Sequence, residues 1–278
     1  MRTSSACRCA TTSGSGAVPS KGKDGGVNYR KVVDAAVELT AARGAYLVLD
    51  LHRFGAPTAA HVEFWKDAAT RYRNHPAVLF ELFNEPHDIS WQLWRDGGNL
   101  TDPKKPAELT GETTTGIQAL VEAVRATGAR NIVIAGGLGW SYDLTGVLQG
   151  YALEERNGGN GIVYSSHIYP WKRDWQNKVL AAARKYPLFL GEVGCPPDWK
   201  GFEFIPPAER FEDLSTHAWP PDVLAMIQQH QLHWTGFSFH PRCGPMVILD
   251  WDYTPTPYWG SFVKDALAGK RFELTKLR

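Results

Sequence analysis

The chain has 278 residues, 43% of them hydrophobic and 21% charged, enough for one sizeable globular domain with its own core. Lys and Arg (30) nearly balance Asp and Glu (29), for a formal net charge of +1. That excludes the basic excess of a nucleic-acid binder and points to a neutral or small polar partner. No run of about 18 apolar residues is present to span a membrane. Tryptophan is abundant at 11, and flat sugar faces stack on such rings.

In chain order, residues 1–27 are rich in Ser, Thr, Gly and other small residues, lack the apolar centre of a secretory signal, and read as a disordered or non-native segment. Cys7 and Cys9 stand too close for an ordinary disulfide or zinc pair. Cys195 and Cys243 each follow a predicted strand; free thiols are expected, with a disulfide between them as the alternative. A single domain is expected over 28–278. It opens with an amphipathic helix carrying Val32, Val33, Ala36, Val37 and Leu39 and stopped by Gly44.

Strands are then predicted at 46–51, 77–83, 131–137, 161–169, 187–194 and 234–240. Helices are predicted at 60–74, 113–128, 175–186, 221–232 and 258–269. Near-continuous apolar strands alternating with helices imply an α/β fold with a parallel sheet covered on both faces. A (β/α) barrel and an open doubly wound sheet both fit, and both place ligands at the carboxyl ends of the strands. No Gly-rich phosphate loop follows any strand, which argues against nucleotide binding in an open sheet.

Polar residues collect at those strand ends. His52 follows 46–51, Asn84 and Glu85 follow 77–83, and Trp140 follows 131–137. His167 and Tyr169 end 161–169, and Glu192 ends 187–194. Each has a structural explanation by itself: Glu85 could cap a helix beginning at Pro86, Glu192 could pair with an Arg, and Trp140 could anchor packing. Their joint placement at one rim is what a purely structural role does not produce. Two glutamates on separate strands suit glycoside hydrolysis, where one carboxyl protonates the leaving oxygen while the other attacks the anomeric carbon or activates water. A competing class is a divalent-metal enzyme with Asp50, Glu85 and Glu192 as oxygen ligands, separable by chelation.

At these residues the sequence resembles glycoside hydrolase family 5, the retaining (β/α)8 TIM-barrel β-glycanases that include cellulases and mannanases. Asn84-Glu85-Pro86 resembles its acid/base motif, "LFLGEVG" with Glu192 its nucleophile strand, His167 to Tyr169 its His-x-Tyr, and "LDLHR" its substrate-side His52. "GGLGWSYDL" and "WDYTPTPYWG" are similar to its bacterial members. The resemblance implies Glu85 as general acid then base, Glu192 as nucleophile, and Asn84 as a hydrogen-bond partner of the sugar 2-hydroxyl. It implies Tyr169 as a partner of Glu192, His52 and His167 lining the subsite, and Trp140 and Trp171 stacking on sugar rings. The implied substrate is β-1,4-glucan or a related β-glycan, with no metal or organic cofactor.

Six βα units are recognisable, so an incomplete barrel lacking the family's first two is expected. The family's strand-borne Arg has no match, and Phe239 or His240 stands where a floor Trp is usual. A catalytically weak or inactive sugar-binding relative is therefore the alternative. A monomer is expected unless a partner chain completes the barrel. The resemblance suggests an exported protein, although no signal is visible.

Overall fold

The structure, a computed structural model, describes residues 5–9, 26–102, 104–200, 202–207, 210 and 218–278, with 5–9 and 106–107 described as backbone only. The chain forms two compact units, Met1–Ser165 and Ser166–Arg278.

The first unit alternates strand and helix: β1 (Ser5–Cys9), α1 (Val27–Ala42), β2 (Leu47–Leu51), α2 (Ala59–Arg71), β3 (Val78–Glu81), α3 (Trp91–Asp96), α4 (Gly116–Ala126), β4 (Val133–Gly136) and β5 (Ile162–Ile168), whose last three residues enter the second unit. The strands are parallel in the order β1, β2, β3, β4, β5. Every residue of β2 and β4 is buried, as the continuous apolar runs require of strands covered on both faces.

The segment expected to be disordered contains a strand. β1 pairs with β2 from Ser5 opposite Leu47 to Cys9 opposite Leu51. "SACRC" lacks the β-branched and aromatic residues that signal a strand; backbone pairing with β2 defines it. Strand 46–51 is therefore not a sheet edge. β1 also sets Arg8 in register with Asp50, so a strand-borne Arg does precede the His52 strand. Residues 1–4 and 10–25 lie outside the described residues.

Two indoles pin the strand ends that matter below. Trp65 Nε1 on α2 donates to the Leu82 carbonyl at 2.8 Å. Trp94 Nε1 on α3 donates to the Gly136 carbonyl at 2.9 Å. Both side chains are fully buried, so each indole meets its hydrogen-bonding need while fixing a carbonyl just ahead of a candidate residue. On α1 only Val33 and Val37 of the expected apolar set are buried; Val32 and Leu39 are exposed. Between α3 and α4 runs an antiparallel hairpin, Gly98–Asp102 against Lys105–Thr114, which the sequence reading did not anticipate. Its two ends cross at Gly97 and Gly116. A Cβ at Gly97 would lie 2.5 Å from the Thr114 carbonyl oxygen, and one at Gly116 2.5 Å from that of Arg95. Both residues have positive φ, so glycine is required twice over.

The second unit holds the tail of β5, helical turns at Gln176–Leu180 and Ala181–Ala183, β6 (Leu188–Val193), α5 (Trp219–His230), β7 (His233–Gly236) and α6 (Gly260–Leu267). β6 and β7 are parallel, and Gly194 N donates to Ile168 O at the end of β5. Asp222, buried in the first turn of α5, accepts from Thr275 N and Oγ1, from Lys276 N, and from Arg278 Nη2 at 2.6 Å. β7 is shorter than the expected 234–240. After Gly236 the chain folds back, with Ser238 N donating to Pro245 O and Val247 N to Ser238 O. Cys195 is buried and Cys243 exposed, both as free thiols.

Candidate active site

In the first unit the candidate side chains stand just beyond the carboxyl ends of β2, β3 and β4. Asp50 is buried in β2 and its Oδ2 meets His52 Nδ1 at 2.8 Å; this contact fixes the orientation of the imidazole. Glu81, at the end of β3, is buried. Asn84 is buried, with its backbone N–H on Leu51 O and its carbonyl accepting from Ser141 Oγ. Its Nδ2 has no hydrogen-bond partner among the described residues. A buried amide donor without a protein acceptor is costly unless a ligand supplies one.

Glu85 does not cap a helix. It is half-buried in a two-residue parallel pairing with Phe54–Gly55, and its backbone N–H donates to Arg53 O at 3.0 Å. The next helix, α3, begins at Trp91 and is capped by Ser90 Oγ. A strand-like backbone therefore holds this carboxylate.

Aromatic rings border these groups. His52 meets Phe54 edge-on at 5.3 Å, and Phe54 meets Trp140 at 5.9 Å. Trp140 stacks on His87 at 3.7 Å and 9°, and His87 Nδ1 meets Asp88 Oδ2 at 2.8 Å. Trp140 keeps 44% of its surface exposed. Gly139, Trp140 and Ser141 all have positive φ. Left-handed backbone at two consecutive non-glycine residues is strained and concentrates at functional positions. Here it turns an indole outward above a buried Ser141.

In the second unit Glu192 is buried at the end of β6. Its Oε2 accepts from the Tyr169 hydroxyl, and its Oε1 lies 3.6 Å from His167 Nδ1. Trp171 lies flat on Tyr169 at 4.8 Å and 1° and meets Phe202 at 5.4 Å. Phe237 approaches Tyr169 edge-on at 6.3 Å. Phe237 rather than Phe239 or His240 is thus the ring beside Tyr169, a residue the sequence reading passed over. The first unit therefore brings together His52, Asn84, Glu85 and Trp140. The second brings together His167, Tyr169, Trp171 and Glu192.

The cellulase (glycosyl hydrolase family 5) profile matches residues 5–242. The chain belongs to glycosyl hydrolase family 5. A similar family member is an endoglucanase of Paenibacillus polymyxa, 24% identical over 265 residues, covering 81% of this chain and 62% of that protein. The chain thus spans less than two thirds of that relative's length. Among solved structures, a family 5 β-glucanase of Saccharophagus degradans superposes with a TM-score of 0.69 at 27% identity, covering 90% of this chain and 74% of that one. Its complex with cellotetraose gives 0.71 at the same identity. The Thermobifida fusca endoglucanase catalytic domain, at 16% identity and a TM-score of 0.57, shares the fold. The fold is thus of the (β/α)8-barrel type, and the family 5 match begins at β1, ahead of the first strand expected from sequence.

Proposed function

We propose that this chain is a retaining β-glucan hydrolase of the endoglucanase kind, with Glu85 as acid/base and Glu192 as nucleophile. The observation that carries the reading is the buried Glu192 carboxylate, held by the Tyr169 hydroxyl and flanked by His167. In the first step a Glu192 oxygen attacks the anomeric carbon. The glycosidic C–O bond breaks, and Glu85 gives its proton to the departing oxygen. In the second step Glu85 takes a proton from water, the water oxygen attacks the same carbon, and the bond to Glu192 breaks.

Asn84 is assigned to the sugar 2-hydroxyl, supported by its unfilled buried Nδ2. His52, oriented by Asp50, and His167 are each assigned to contact the sugar, and Trp140 and Trp171 to supply faces for sugar rings.

The test is the release of reducing ends from a soluble β-1,4-glucan, with the anomer of the first product read by NMR. Retention of the β-configuration and loss of turnover in Glu192→Gln are expected. Inversion, or a rate unchanged by Glu192→Gln, overturns the assignment. Undiminished turnover after chelation is expected; its loss would favour the metal-dependent class.

A further inference from the structure

Helix α1 turns toward solvent a face that a surface helix ordinarily keeps polar. Val32 and Leu39 are 64% and 57% exposed, and Ala35 and Ala42 are exposed with them. From Val32 to Ala42 the spacing alternates steps of three and four residues. In an α-helix that spacing draws one continuous stripe along the surface. A strict three-and-four apolar stripe is the seam of a helix pair.

The other faces of α1 are already occupied. Val33 and Val37 are buried. Arg30 pairs with Asp67 at 3.0 Å, and Asp34 accepts from Arg71 Nε and from the Tyr72 hydroxyl, both at 2.8 Å. These bonds tie α1 to α2 and the residue that follows it. The two charges bordering the stripe are different. Lys31 and Glu38 are exposed, and their side chains have no hydrogen-bond or ion-pair partner among the described residues.

We propose that this stripe is a homodimer interface, on which α1 of a second copy packs antiparallel about a two-fold axis near Ala35. In that arrangement residues equidistant from the axis come level with each other. Val32 lies beside Leu39 of the second copy, and the small side chain of Ala35 lets the two backbones approach. Lys31 comes opposite Glu38 of the second copy, and Glu38 opposite its Lys31. A parallel pair would instead set lysine on lysine and glutamate on glutamate. A two-fold contact needs a patch complementary to itself. The placement of opposite charges at mirrored distances from the centre of the stripe meets that condition, which a foreign partner would not impose.

One helix face buries less than the roughly 1,600 Å² of a standard interface, so the dimer is expected to be weak and concentration-dependent. The test is sedimentation velocity of the full chain across the micromolar range. Leu39→Asp, which places a charge in the seam, should leave a monomer with unchanged far-UV dichroism. Lys31→Glu and Glu38→Lys should each weaken the dimer on the order of tenfold, since one reversal turns two attractive contacts repulsive. Mixing the two variants should restore association, because every charge then meets its opposite. Carrying both reversals in one chain should restore it as well. A monomer throughout the range overturns the proposal, as does a dimer indifferent to Leu39→Asp. So does weakening by the single reversals that neither the mixture nor the double reversal restores. A chain that stays monomeric and takes up a different protein on this face also counts against it. Turnover is not part of the readout, so the dimer and the hydrolase reading fail separately.

Discussion

The hydroxyl of Tyr169 donates to Oε2 of Glu192 while the face of Tyr169 is covered by Trp171. A buried carboxylate that must attack as an anion needs such a donor, because burial alone favours its neutral form. Tyr169→Phe removes the donor and little volume. Turnover on an aryl β-cellobioside should fall about 10–100-fold, the value of one hydrogen bond to a charged group. The thermal midpoint should move only slightly. Wild-type turnover in this variant would show that Tyr169 is only packing.

Trp140 should contribute binding rather than chemistry. It is the half-exposed indole of the first unit, backed by His87 at 3.7 Å. Trp140→Ala is expected to raise KM for cellotetraose about tenfold with kcat largely kept, as loss of a ring contact predicts. His87→Ala should act in the same direction and more weakly, since it removes the backing and leaves the indole. Steady-state kinetics of both variants decide this.

His61 sets an acid limit on stability. Burial, reinforced by the charge of Arg53, lowers its pKa to about 4. Its Nδ1 accepts from Thr58 N at 2.9 Å in the capping box that starts α2, a bond that only an unprotonated Nδ1 can accept. The unfolded chain titrates this histidine near pH ~6.5. Between about 6.5 and 4 the unfolded state binds the extra proton, so stability rises with pH through that window. The contribution of neutral His61 is complete above ~6.5 and is lost as the pH falls towards 4. His61→Gln keeps an acceptor and no titrating group. Urea midpoints measured from pH ~7 to ~4.5 should therefore fall less steeply for the variant. Parallel curves would contradict the assignment.

Arg125 is the buried charge on which the first unit depends. Its guanidinium is 1% exposed, pairs with Glu155 at 2.6 Å, and donates to the Ala129 and Asn131 carbonyls. The same guanidinium holds the Glu155 carboxyl below its usual range. Arg125→Ala should cost about 1.5–3 kcal/mol in denaturant unfolding, the value of hydrogen bonds to a charged group, because the Glu155 left behind reaches solvent. Gly159→Ala should also destabilise, since its Cβ would fall 2.1 Å from the Arg125 Cζ. A loss under about 1 kcal/mol in the arginine variant would place the pair among weak surface bridges.

The sequence disclosed the parts of the molecule in which side-chain pattern and backbone agree. β2, β4 and β6 are buried throughout and apolar apart from Asp50 and Glu192, and the polar residues that end such runs stand at strand ends in the fold. β1 was illegible because five small or polar residues carry no hydrophobic period, yet they satisfy one edge of β2 through the backbone alone. Arg8 was hidden for the same reason; its place one strand ahead of "LDLH" was the only available cue. The 98–114 hairpin escaped notice because its described residues are largely solvent-facing, so selection imposes no apolar alternation on them. On α1, periodicity announced a helix without fixing how wide its buried stripe is: Val33 and Val37 face inward while Val32 and Leu39 do not.

The crossing of Gly97 and Gly116 gives the hairpin between them an unusual freedom. The chain leaves and re-enters the first unit at points clamped backbone to backbone, so the closure of that loop is settled before any hairpin residue contributes. Additional length there carries only a slowly growing entropic cost. The two glycines thus act as a graft junction, where a lineage or an engineer could exchange one appendage for another and leave the neighbouring strand ends undisturbed.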